Sequence, residues 1–170
     1  MPGFNVVSGG GGSGPSNTIE VRRAHRWMFE TLGPVAPNVL LLLQSAQRPS
    51  FSFEEPEMHH NQEKVYFAGK QSWEPVSLVW YDGEQSPDVS QAIYNWLESV
   101  VDIGSANVAP VGTYKTEASL SVLDGAGMPN EQWGMYGVWP QAVNFQELNY
   151  TSTDLMTVEA TLRYDRARRL

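Results

Sequence analysis

The sequence predicts an α+β domain, mainly an antiparallel β-sandwich or small barrel with one flanking α-helix. Three observations predict it. Met156, Val158, Ala160, Leu162 and Tyr164 alternate with Thr157, Glu159, Thr161 and Arg163, the period-2 pattern of a half-buried strand. Two shorter stretches alternate in the same way and end in turn residues. Val76, Leu78 and Trp80 lead to Asp82-Gly83, and Ala118, Leu120 and Val122 lead to Asp124-Gly125. Against these strands stands one helical pattern over 87–101, with Val89, Ala92, Ile93, Trp96, Leu97 and Val100 on one face. The chain has 170 residues, 41% of them hydrophobic, enough to bury the core of one domain.

Each element follows in chain order. Residues 1–18, with Gly9 to Gly12 and then Ser13-Gly14-Pro15-Ser16-Asn17, read as a flexible Gly-rich arm. The folded domain is expected over 19–166. Residues 26–32 and 38–46 look like strands, and Phe51 and Phe53 begin another. The stretch 57–73 reads as a long polar then aromatic loop, and loops that long are usually functional or disordered. Tyr66, Phe67 and Trp73 are expected exposed there, costly in a monomer and useful at an interface. The helix is expected to take Ser86 as its cap, Pro87 at its first position, Asp88 near its positive end and Gly104 as a stop. Val143 and Phe145 alternate, while Leu148 and Tyr150 are out of phase, so a bulge is expected near Gln146-Glu147. The chain closes in a basic tail, 167–170.

Composition excludes several function classes. Eleven basic residues against nineteen acidic ones give a net charge of −8, unsuited to gripping a duplex. Charge is uneven along the chain. Arg22, Arg23 and Arg26 open the folded part, and Arg163, Arg166, Arg168 and Arg169 close it. Between 27 and 162 lie only Arg48, Lys64, Lys70 and Lys115 against seventeen acids, or about −13. In an assembly such basic ends can dock on an acidic neighbour. With no cysteine there are no disulfides, thiolate sites or Cys nucleophiles, a composition that fits a reducing compartment. The longest apolar run, Val39 to Leu43, is far too short to span a membrane, and Met1-Pro2-Gly3 opens no signal peptide.

Catalytic patterns are thin. Three histidines are present, His25, His59 and His60, but no G-x-S-x-G elbow, phosphate loop, dinucleotide fingerprint or H-E-x-x-H. His59 and His60 lie near Glu54, Glu55 and Glu57, yet neighbours on a strand point to opposite faces and would not chelate together. A solvated or interface role fits them better than a metal site. No catalytic residue, metal or cofactor is expected.

Three segments then carry a resemblance. The first is Gly69-Lys70 followed by Trp73-Glu74-Pro75-Val76-Ser77-Leu78-Val79-Trp80-Tyr81-Asp82. The second is the helix, with Trp96 and Leu97. The third is Gly137-Val138-Trp139-Pro140, then Val143 to Tyr150, then Leu155 to Asp165. In this order, over about 25–166, they resemble the tail tube proteins of contractile-tailed, T4-like bacteriophages. That family is related in fold to secretion-system and bacteriocin tubes. The resemblance implies a structural subunit that forms hexameric rings. These stack into a hollow tube inside a sheath, with baseplate and tail terminator proteins at its ends, in a virion tail assembled in the host cytoplasm. Phage DNA would pass through an acidic lumen without specific binding, and no membrane is entered. It implies a core of Trp80, Trp96, Leu97 and Trp139. Subunit or ring interfaces would use His59, His60, Tyr66, Phe67, Lys70, Trp73, Arg22, Arg23, Arg166, Arg168 and Arg169. Thr157, Glu159 and Thr161, or Ser119 and Ser121, would face lumen or solvent. The rival readings are a DNA-free injection-system tube and a baseplate tube-initiator. A more distant one is a monomeric β-barrel burying Trp73, Trp80, Trp133 and Trp139 around a ligand.

Overall fold

A computed structural model of the chain describes residues 22–84, 88–151 and 153–170. The expected arm 1–18 and the helix-start residues Ser86 and Pro87 lie outside the described residues. In chain order the elements are β1 (Trp27–Leu32), α1 (Pro37–Leu40), β2 (Leu43–Ala46), β3 (Phe51–Phe53), β4 (Glu57–His60) and β5 (Glu63–Tyr66). Then follow β6 (Gln71–Trp73), β7 (Val76–Tyr81), α2 (Val89–Val100), β8 (Val101–Asp102), β9 (Asn107–Val108) and α3 (Val111–Tyr114). Four strands finish the chain: β10 (Thr116–Leu123), β11 (Pro129–Phe145), β12 (Thr157–Arg163) and β13 (Arg166–Arg169). No described helix is long and apolar enough to cross a membrane.

The main sheet runs β1-β10-β11-β12-β7-β2, all antiparallel, with β13 also on β11. β11 belongs to two layers. Its first part pairs β10 and β13, and its last part, from Trp139, pairs β12. Between the two parts lies Gly137 at φ +69°, a conformation that side-chain-bearing residues resist. A Cβ there would run into the Asp165 carboxylate, which Lys115 Nζ holds at 2.7 and 2.8 Å. The two layers share one core. Phe29, Leu32, Ala118, Leu120, Met135 and Val138 come from one layer; Val76, Leu78, Trp80, Val158, Ala160 and Leu162 come from the other. α2 adds Val89, Ile93 and Trp96.

The α+β, mainly antiparallel class stands, and several details change. Helix α2 is capped by Asp88, whose Oδ1 accepts from the Gln91 N–H at 2.6 Å. It ends at Val100 because Val101 turns extended, and Gly104 instead donates its N–H to Asp102. Leu97 is only half-buried. Val89, Ile93 and Trp96 define the buried line, and Leu97 sits about 100° round the helix from Trp96. Trp139 is half-buried too, with its ring edge-on to Tyr114 at the corner where β11 changes layer (centroids 6.2 Å apart). Trp80 and Trp96 are buried as expected.

Residues 38–46 are not one strand. Pro37 opens the short helix α1, which drops Val39 into the core before β2 begins. β11 stops at Phe145, so no bulge forms at Gln146-Glu147. Its irregularity falls between Pro140 and Ala142, where proline has no N–H to give. Leu155 and Met156 precede β12 and are exposed. Ser121 lies under Glu30, accepting side chain to donating hydroxyl at 2.5 Å, and is fully buried. The basic end is not a tail but a strand, with Arg166 to Arg169 in β13 opposite Tyr136 to Trp133.

Candidate assembly surfaces

The segment expected as a loop is a two-stranded ribbon. β3 pairs β6, and β4 pairs β5 across Asn61, whose positive φ of 55° makes the turn. Between them Glu54 N donates to Lys70 O and Phe67 N donates to Pro56 O, so pairing runs nearly unbroken from Phe51 to Trp73. Gly69 sits against the Glu54 carbonyl, leaving no room for a side chain. Only Trp73 at the base of the ribbon packs on the core, and Phe51, Phe53, Met58, Val65, Tyr66 and Phe67 are all exposed. Each is an apolar group left in water by its own subunit.

The expected interface residues are therefore brought together only in part. His59 and His60 share β4 opposite Lys64 and Glu63, and His59 Nε2 is 3.7 Å from Glu57 Oε2. Tyr66 and Phe67 are exposed at the end of β5, and Lys70 is exposed before β6. Trp73 is not exposed. It is packed between Phe51 at 5.0 Å and Tyr164 at 5.8 Å, tying the ribbon to the sheet. Its indole N–H is buried without a partner. Burial against this cluster also pushes the Tyr164 hydroxyl pKa up. Among the described residues no group of three or more His, Asp or Glu is placed to hold a metal.

The arginines converge on a residue the sequence did not single out. Glu131 is buried, and its Oε1 accepts from the Trp133 indole N–H at 2.6 Å. Arg22 pairs with Oε2, Arg48 Nη1 lies 3.6 Å from Oε1, and Arg169 Nη2 lies 3.9 Å from Oε2. The Trp133 hydrogen bond first, then the three guanidinium groups, hold the Glu131 carboxyl below its ordinary pKa, outweighing its burial. So both basic ends of the sequence meet at one buried carboxylate. Arg23 lines the groove beside it. Arg166 stacks over Tyr136 at 5.0 Å, and Arg168 is exposed opposite Gly134. A signal existed: in a strand Glu131 and Trp133 share a face. Their arginine partners lie up to 109 residues away, beyond any local pattern.

A second apolar surface was also missed. Phe145, Leu148, Tyr150, Leu155 and Met156 are all exposed around the connection from β11 to β12. The four tryptophans of the ligand-binding alternative do not surround one cavity. Trp80 is in the core and Trp133 is on Glu131, while Trp73 and Trp139 share an open groove with Arg163 and Asp165.

Comparison with known proteins bears on the fold and the family. Among solved structures, the chain resembles one from the tube-terminating cap of the anti-feeding prophage. Identity is 16% and the TM-score 0.73, over 92% of this chain and 95% of that one. It also resembles a chain of the PVC sheath-tube complex of an extracellular contractile injection system, at 15% identity and TM-score 0.67 over 88% and 91%. A type six secretion system protein is more distant, at 8% identity and TM-score 0.50 over 85% and 82%. At such identities the likeness is one of fold. No curated protein matches the sequence. The model of the T4-like virus tail tube protein gp19 family matches residues 43–168, and the chain belongs to that family.

Proposed function

We propose that this chain is the repeating structural subunit of a hollow tube, with six copies closing a ring and rings stacking inside a contractile sheath. One observation carries the reading beyond family membership. The layer β11-β12-β7-β2 has, among the described residues, two unpaired edges: β2 and the Trp139–Phe145 part of β11. Open edges are a hazard for a lone subunit. Pairing one edge with the other edge of the next copy satisfies both and closes round an axis. The ribbon, with His59, His60, Tyr66, Phe67 and Lys70, reaches a neighbouring copy. The resembling chains come from a cap, a baseplate and a sheath-tube complex, which supports sheath, baseplate and terminator proteins as partners. The role is structural, not catalytic.

Electron microscopy of the concentrated protein tests this. Rings or tubes of uniform width with a central hole are expected; monomers at every concentration would reject the reading.

We assign the outer face of β7 and β12 to the bore, and its charge then bears on what travels through it. That face carries Ser77, Thr161, Glu159 and Arg163. Ser77 donates to Glu159 at 3.0 Å. One acid and one base make this face close to neutral, not the acidic lining expected for a sliding polyanion. In a virion tail the bore conducts DNA without gripping it. The neutral face favours a second reading, a DNA-free injection system. Nucleic-acid content of nuclease-treated particles separates the two.

A further inference from the structure

The two ends of the layer β11-β12-β7-β2 carry opposite charge. β7 runs from Val76, opposite Leu162, to Tyr81, opposite Thr157. Five residue steps separate the ends by about 17 Å. At the Val76 end, Gln47 N donates to Ser77 O, which places Arg48 just beyond the strand pair. Arg22, Arg23, Arg26 and Arg48 line a groove of about 310 Å³, together with Trp27, Leu120 and Val122. Arg169 joins them at Glu131, and Asp124 lies within the field of Arg26. Five arginines against these two carboxylates leave a surplus of three positive charges.

At the Tyr81 end the sign is reversed. Asp82 N donates to Met156 O at 2.9 Å and Thr157 N to Gln146 Oε1 at 2.7 Å, so residues 82–84 lie beside the described residues of 146–156. These segments contain Asp82, Glu84, Glu147 and Asp154 and no lysine or arginine. Asp82 is committed to Ser90, at 2.5 Å. Glu147, Leu148, Tyr150, Asp154 and Met156 line a groove of about 380 Å³, with Leu148 and Tyr150 exposed.

We propose that the arginine groove of one copy receives the 146–156 loop of a second copy, joining subunits end to end. The occupant is another copy of this chain because both halves of the match, charge and apolar surface, are on it. Opposite ends of one molecule make a heterologous contact that repeats as an open stack. The ribbon, by contrast, leaves the body at the same end as the groove, so ribbon-in-groove docking would not propagate along that axis. Leu148 and Tyr150 would be buried against the half-buried Trp27 and Val122, with acids facing arginines at the rim. This docking rests on the stacked-tube reading and specifies which surfaces make the stack.

The absence of cysteine makes a cross-linking test clean. The full chain carrying both Arg48→Cys and Glu147→Cys should give, on mild oxidation, a ladder of dimers, trimers and larger species, while each single variant stops at dimer. As a second measure, Arg48→Glu should lower the fraction of protein in multi-ring particles about tenfold, and adding Glu147→Arg should recover most of it. Multi-ring tubes without the ladder would overturn the docking and leave the tube standing. A ladder from Arg48→Cys with Glu55→Cys instead would show that the groove takes the ribbon, and would also overturn it. Absence of both tubes and ladder would remove the tube reading and the docking with it.

Discussion

The ribbon from Phe51 to Trp73 and the strand β12 are both antiparallel β-structure, yet they serve different masters. In β12 Val158, Ala160 and Leu162 are buried, with polar or half-buried residues between them. In β4 and β5 every described side chain is exposed. β12 is held by side chains packed into the core, with backbone pairing on both edges. The ribbon is held by its own backbone pairing and by Trp73 at its base. A lone two-stranded hairpin is marginal in water. The subunit thus divides into a part whose apolar residues are buried in its own core and a part whose apolar residues its own fold leaves in water.

Three substitutions can break or sharpen that division. The largest effect is expected in the self-sufficient part. Trp96→Ala should cost about 3–5 kcal/mol, because the indole is buried in the shared core; chemical denaturation measures it. An unchanged midpoint would mean that α2 does not support the sheet.

Glu131→Gln should cost less, about 1–3 kcal/mol, since it leaves three arginines around a neutral group. Its pH dependence has a definite sign. A carboxyl held below its ordinary value of 4.5 stabilises the fold fully above that value, and the contribution fades as pH falls through the lower folded value. The parent protein should therefore lose stability on acidification below about 4.5, and the Gln variant should lose less; thermal melts across pH 3–6 compare them.

The smallest effect on folding is expected in the ribbon. Phe67→Ser should change stability by no more than about 0.5 kcal/mol, because the ring is half-exposed and outside the core. The same variant should reduce ring or tube formation at fixed concentration. A large loss of stability would show that the ribbon packs on its own subunit.

What was legible in the sequence divides along the same line. β7, β10, β12 and α2 were readable because a one-sided core imposes a period of two or 3.6 on the apolar residues. The ribbon was not, since nothing buries one of its faces and so Glu57 to Tyr66 show no alternation of apolar residues. The run 38–46 misled because Val39 to Leu43 is uniformly apolar, and only Pro37 marked the helical turn. The exposure of Tyr66 and Phe67 was readable from aromatic groups in a polar stretch. Trp73 was misplaced because composition cannot tell an exposed ring from one wedged between Phe51 and Tyr164. The Glu131 cluster and β13 depend on pairings across the whole chain, which local patterns do not encode.

The pairing of β1 with β10 sets Trp27 opposite Val122 and Phe29 opposite Leu120. It fixes the order of events at the ribosome. At roughly 5–20 residues per second, several seconds pass between the emergence of the ribbon and that of the partner strand of β1. Hairpins close in about 1–10 μs. The exposed aromatic residues of the ribbon are therefore outside the ribosome while the core is still unsealed and before Tyr164, on which Trp73 packs, has emerged. On a polysome many such ribbons are held close together before any subunit has finished folding.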